Sequence, residues 1–179
     1  MKNSFLSELL FSGRIPFLPF LQKVTLFFSL VPIIGIFFFP EDFRTLGAMC
    51  WNILIVILLI RPLGDIFTDF KIFRGLLPFR KELGILCGSL GISHSIGFFF
   101  GSNIPLPSGF LDPLVWNVKD YFFWGMIGFL ISILLTLTSN IFSMRLLRSW
   151  WKRLHSLVYL FFIATTIHIA IMTAQREGG

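Results

Sequence analysis

The sequence predicts an all-α fold: a polytopic bundle of about five transmembrane helices. There is room for a sixth, interfacial helix at the N-terminus, and the N-terminus is placed in the cytoplasm. Three observations lead there. The 179 residues are 55% hydrophobic and only 13% charged, with Phe at 24 positions, whereas soluble domains are about a quarter charged. Mean hydropathy is +0.84, more apolar surface than a soluble core of this size can bury. The basic residues cluster in short segments between apolar runs, where the positive-inside rule accounts for them.

The spans follow in order, each judged against the roughly 20 apolar residues that a bilayer needs. Val24 to Phe39 is the first, with Pro32 as a kink. Leu46 to Ile60 is the second, stopped by Arg61 and Pro62. Leu83 to Phe100 is the third, Tyr121 to Leu137 the fourth and Leu154 to Met172 the fifth. Residues 1–22 carry a weaker apolar pattern, broken by Gly13 and Pro16, and form a separate segment lying on the membrane. Residues 23–179 make one transmembrane domain. The stretch from Gly101 to Asp120 is rich in Pro and Gly and reads as a loop.

With the N-terminus inside, the inner segments hold Lys2, Arg14, Lys23, Arg61, Lys71, Arg74, Arg80, Lys81, Arg145, Arg148, Lys152 and Arg153. These are twelve of the fifteen basic residues, and only Arg44, Lys119 and Arg176 fall outside. Trp116 and Trp124 then fit the outer interface, and Trp150 and Trp151 the inner one. The net charge of +6 is thus a matter of topology, and nucleic acid is not an expected partner. Cys50 and Cys87 fall in opposite membrane halves by this count, which argues against a disulfide. The sequence has no zinc-type Cys/His pattern, no cleavable signal before the run at Val24 and no internal repeat.

The three histidines carry the chemistry. His94 lies eleven residues beyond Leu83, roughly 16 Å into its helix, and His168 fourteen beyond Leu154, roughly 21 Å. Both spans run outward, so the two sit at similar depth in the outer half. Two imidazoles at matched depth can clamp a metal or a haem, and bis-histidine haem moves electrons instead of binding oxygen at the iron. The alternative is a pair of hydrogen-bonded bundle residues or a proton relay. Gly91, three residues before His94, and Thr165, three before His168, leave room for a flat ring; for the glycines taken alone, close helix packing is the better account. His155 lies thirteen residues before His168, roughly 20 Å lower and pointing some 140° away. Its geometric partner on the third span is Arg80, which cannot ligate iron.

The stretches "LPFRKELGILCGSLGISHS" (Leu77 to Ser95) and "TSNIFSMRLLRSWWKRLHSLVYLFFIATTIHI" (Thr138 to Ile169) resemble the ferric reductase-like transmembrane domain. Within it they look most like the MsrQ (YedZ) family, the haem-binding membrane subunit of a periplasmic methionine sulfoxide reductase system. The resemblance covers roughly Gly47 to His168. It implies haem b held by His94 and His168 as axial ligands to the iron, in a bacterial inner (cytoplasmic) membrane. His155 matches the family's inner histidine. Two-haem relatives have a histidine at the position of Arg80, so one haem is expected here and a second lacks its ligand pair. His155 is then either a ligand without a partner or an interfacial residue that positions a propionate or the basic cluster. MsrQ-type proteins also have a further apolar helix beyond the span of His168.

The expected function is electron transfer. A cytoplasmic flavin reductase or a membrane quinol acts as donor, with flavin or quinone external to the chain. A periplasmic redox enzyme, molybdopterin-dependent by the resemblance, acts as acceptor. No dinucleotide fingerprint is present, so the chain does not take electrons from a nicotinamide itself. The inner basic loops suit an acidic donor or anionic lipid. Two rival readings stand: a stand-alone transmembrane reductase of ferric chelates or oxygen, and a non-haem transporter or scaffold. The second lacks a carboxylate within any span to complete a relay.

Overall fold

A computed structural model describes residues 10–101 and 116–177. Among these the regular structure is entirely helical, and five stretches are long and apolar enough to cross a membrane: Leu18–Gly35, Pro40–Ile66, Ile72–Gly101, Tyr121–Thr138 and Ser149–Glu177. The five expected spans are all present, and the protein is an integral membrane protein. Most of the proposed loop between the third and fourth spans lies outside the described residues.

The first span is two helices, α1 (Leu18–Phe28) and α2 (Leu30–Gly35). The break falls at Ser29, three residues before Pro32, whose missing N–H cannot bond the carbonyl one turn earlier. The Ser29 hydroxyl donates to Leu26 O (2.6 Å) at the bend. Helix α3 (Phe43–Ile66) follows a short 3₁₀ turn, Pro40–Asp42. Glu41 and Asp42 place negative charge at its positive end. Its buried residues Cys50, Leu54, Ile57, Ile60 and Gly64 recur at helical spacing and mark its inward face.

After the short helix α4 (Ile72–Gly75), α5 (Arg80–Gly101) forms the hub of the bundle. It packs against α1, α2, α3 and the next span, α6 (Tyr121–Thr138). A helix enclosed on so many sides needs small residues where neighbours approach. Gly88, Ser89, Ser93 and Gly97 are all buried in it. Helix α6 is capped by Asp120, whose side chain accepts from Phe122 N (3.0 Å). Two short helices, α7 (Ile141–Leu147) and α8 (Ser149–His155), lead into α9 (Leu157–Glu177), which packs along α6. Trp51 of α3 stacks on Phe162 of α9 (5.2 Å between ring centres, planes 4° apart). That contact closes α3, α5, α6 and α9 into a ring.

Three details differ from the sequence reading. Helix α3 starts at Phe43, α5 at Arg80, and α9 continues to Glu177, because helices extend past the apolar run through polar residues. As a result Glu82 lies inside α5 and is buried; its Oε2 accepts from Gln22 Nε2 of α1 (3.2 Å). Cys50 and Cys87 are not separated across the membrane. Measured from the true helix starts, both move toward the middle, where α3 crosses α5, and their sulfurs are 3.6 Å apart.

Candidate functional site

Two histidines meet inside the ring of helices. His94 projects from α5 and His168 from α9, with ring centres 6.3 Å apart and planes at 79°. Each is anchored the same way. His94 Nδ1 donates to Phe43 O at the start of α3 (2.7 Å). His168 Nδ1 donates to Tyr121 O at the start of α6 (2.8 Å). A carbonyl accepts only, so it selects the tautomer with the proton on Nδ1 and leaves the Nε2 lone pair for a ligand. Neither acceptor is visible in sequence, since every residue carries a carbonyl.

The separation suits a metal between the rings. A metal–imidazole bond of about 2 Å on each side, plus roughly 1.1 Å from nitrogen to ring centre, puts two axial imidazoles about 6 Å apart, centre to centre. Both histidines line one cavity of about 640 Å³, within the roughly 300–1,000 Å³ typical of cofactor sites. Its deep end is apolar and buried, formed by Cys50, Leu54, Ser132 and Phe161. Its other end is exposed and carries Arg44 and Arg176, the charged cations lining it among the described residues. Haem is a disc with iron at its centre, an apolar edge and a dianionic propionate edge. The cavity offers a partner for each part.

The small residues expected beside the histidines line the same cavity. A Cβ built on Gly91 would come within 3.3 Å of Cys50 Sγ. The Thr165 hydroxyl turns back to Phe161 O (2.8 Å), and its methyl lies 3.5 Å from a Cβ built on Gly128. His155 is elsewhere. It stacks on Trp151 (4.1 Å between ring centres) and its Nε2 is 3.2 Å from the Thr138 hydroxyl. Trp151 Nε1 donates to Thr138 O (3.0 Å), completing a cluster that joins α8 to the end of α6. Arg80, its sequence-predicted opposite, has a buried Nε without a hydrogen-bond partner among the described residues.

Comparison with known proteins places the chain in a family. The model described as "Ferric reductase like transmembrane component" matches residues 45–166, which include His94 and His155 and stop two residues short of His168. The chain is similar to the protein-methionine-sulfoxide reductase heme-binding subunit MsrQ of Agrobacterium fabrum, 33% identical over 150 residues, covering 81% of this chain and 65% of that one. The MsrQ of Brucella anthropi is 30% identical over 128 residues, 70% of this chain and 54% of that one. The MsrQ of Brucella ovis is 29% identical over 126 residues, 69% and 53%. The match thus spans between about half and two thirds of the relatives' length. No solved structure matches. With two thirds of its residues matched by one family model and a relative 33% identical over 81% of the chain, the chain belongs to the ferric reductase-like transmembrane family.

Proposed function

We propose that the chain is a b-type haem membrane subunit that carries electrons through the bilayer. The observation that carries this reading is the pair of facing imidazoles, each with its Nδ1 tied to a backbone carbonyl, in one cavity. His94 and His168 would hold the iron through Nε2. Arg44 and Arg176 receive the propionates, and Cys50, Leu54 and Phe161 pack the apolar edge. Gly91 and Thr165 keep the ring's path clear. Bound there, haem would supply a one-electron ferric/ferrous couple. The protein's part is to hold the ligands still and keep water from the apolar end. His155 stays with Trp151 and Thr138 as an interfacial residue.

The charge distribution supports an orientation with Phe43, Tyr121 and the cavity mouth on the periplasmic side of a bacterial inner membrane. Electrons then enter from a cytoplasmic flavin reductase or a quinol. They leave to a periplasmic acceptor, read from the names of the MsrQ relatives as a methionine sulfoxide reductase and expected to be molybdopterin-dependent. The test is absorbance of the purified protein, oxidised and dithionite-reduced. A b-type spectrum is expected that His94→Ala and His168→Ala abolish and His155→Ala spares. Colourless wild-type protein, expressed with ample haem, would refute the reading.

A further inference from the structure

The two histidine anchors share a second feature. Phe43 is four residues before Gly47 on α3, and Tyr121 is four before Gly125 on α6. A helical side chain leans toward the N-terminus and covers the turn before its own Cα. A side chain at 47 would therefore cover the Phe43 carbonyl, and one at 125 the Tyr121 carbonyl. The distances bear this out. A Cβ built on Gly47 falls 2.8 Å from His94 Nδ1 and 3.0 Å from its Cε1. One built on Gly125 falls 2.9 Å from His168 Nδ1 and 3.1 Å from its Cε1. Both helices carry the same device, an aromatic residue, three others and a glycine, although the flanking sequences differ. Not every glycine in the bundle is of this kind: a Cβ on Gly84 of α5 meets nothing within 4 Å.

We infer that Gly47 and Gly125 are positioning residues whose missing side chains let His94 and His168 dock Nδ1 on a neighbouring helix's carbonyl. Docking holds three properties of each ring at once. It fixes the tautomer, so Nε2 is the ligating atom. It stops rotation about the last side-chain bond, which sets the crossed ring planes. It also raises ligand basicity, as carbonyl partners of metal-bound histidines do, which favours ferric over ferrous iron. Alanine at either position adds one methyl group in the place the ring occupies. The ring then tilts or withdraws, the hydrogen bond is lost, and the ferrous form gains.

The inference rests on the haem reading above, and the experiment separates the two. Wild type, Gly47→Ala, Gly125→Ala and the control Gly84→Ala are purified in detergent. Haem content, the ferric electron paramagnetic resonance (EPR) spectrum and the midpoint potential are measured for each. Each of Gly47→Ala and Gly125→Ala is expected to alter the EPR anisotropy and to raise the ferrous/ferric ratio at fixed potential about tenfold, ~59 mV for a one-electron couple. Gly84→Ala matches wild type. Wild-type protein without haem sinks the haem reading and this inference with it. Wild-type protein with haem and unchanged Gly47→Ala and Gly125→Ala spectra and potentials sinks this inference alone. Should both variants lose haem, nuclear magnetic resonance on the diamagnetic ferrous wild-type protein decides: coupling across the hydrogen bond from each ligand's Nδ1 to the carbonyl carbon of Phe43 or Tyr121 upholds the docking, and its absence overturns it.

Discussion

His94 and His168 face each other with ring planes 79° apart. In low-spin ferric haem, parallel ligand planes split two iron orbitals, whereas crossed planes leave them nearly degenerate. The expected ferric EPR signal is therefore a strongly anisotropic one dominated by a single low-field feature. A well-resolved rhombic spectrum would mean that the rings turn parallel when iron is bound.

Much of this arrangement is legible in sequence, for physical reasons. Spans are legible because the bilayer imposes length and hydropathy together. The pairing of His94 with His168 is legible because both stand at similar depth on helices of the same direction. What the sequence hides is anything carried by backbone. The carbonyls of Phe43 and Tyr121 leave no trace, and Gly47 and Gly125 read as packing glycines until the histidines are seen against them. The aromatic-x-x-x-glycine spacing at the start of the second and fourth spans is the signal available, and it is short enough to pass as chance.

The cysteines show how boundary errors spread. Starting the second and third spans three residues late at Leu46 and Leu83, instead of Phe43 and Arg80, sends Cys50 and Cys87 to opposite halves. The apolar run marks where a helix is greasy, not where it begins. His155 is ambiguous in sequence for a different reason: its partners, Thr138 at the end of α6 and Trp151 in α8, are brought together by the connection from α6 to α9, whose path hydropathy does not predict.

Helix packing makes a contrast between two glycines on one face of α5. A Cβ on Gly88 collides with the Thr136 hydroxyl, and it lies 3.2 Å from Thr136 Cβ, so rotating the hydroxyl does not clear it. Gly88→Ala is expected to lower the thermal stability of the detergent-solubilised protein, by about 1–3 kcal/mol for overpacking. Gly84→Ala meets open space and gains up to about 1 kcal/mol of helix propensity. Equal melting temperatures for the two variants would show that α5 and α6 are not in close contact at Gly88.

With haem bound as proposed, charge at the cavity mouth acts on its potential. Arg44 and Arg176 are exposed and line that end. Removing a cation there leaves a propionate uncompensated, and negative charge near iron favours the ferric state. Arg44→Gln and Arg176→Gln are expected to lower the midpoint potential, by up to about tenfold in the ferrous/ferric equilibrium or ~59 mV, and to weaken haem retention. Solvent screening makes the effect shrink as salt rises. The direction is opposite to that expected for Gly47→Ala, so potentiometry on the two sets tells ligand effects from charge effects. An unchanged potential in both arginine variants would turn the propionates away from this end.

The crossing of α3 and α5 can be tested chemically at Cys50 and Cys87. Cys50 Sγ is 3.6 Å from Cys87 Sγ and 3.3 Å from the Cys87 carbonyl, and Cys87 Sγ is 3.5 Å from the Cys50 carbonyl. Both thiols are free and buried. A disulfide needs an S–S distance near 2.05 Å, so a modest rotation of both side chains brings them into range. Treatment with copper–phenanthroline and oxygen, which removes two electrons and two protons per pair, is expected to join them. Mass spectrometry of the denatured protein then shows loss of two hydrogens and no alkylatable thiol, reversed by a phosphine and absent in Cys50→Ser. Burial in an apolar setting slows the reaction, because the thiolate is the reactive form, so the time course must extend to hours. Two fully alkylatable thiols after that time, under conditions that oxidise a denatured control, would mean that the helices do not cross at these residues.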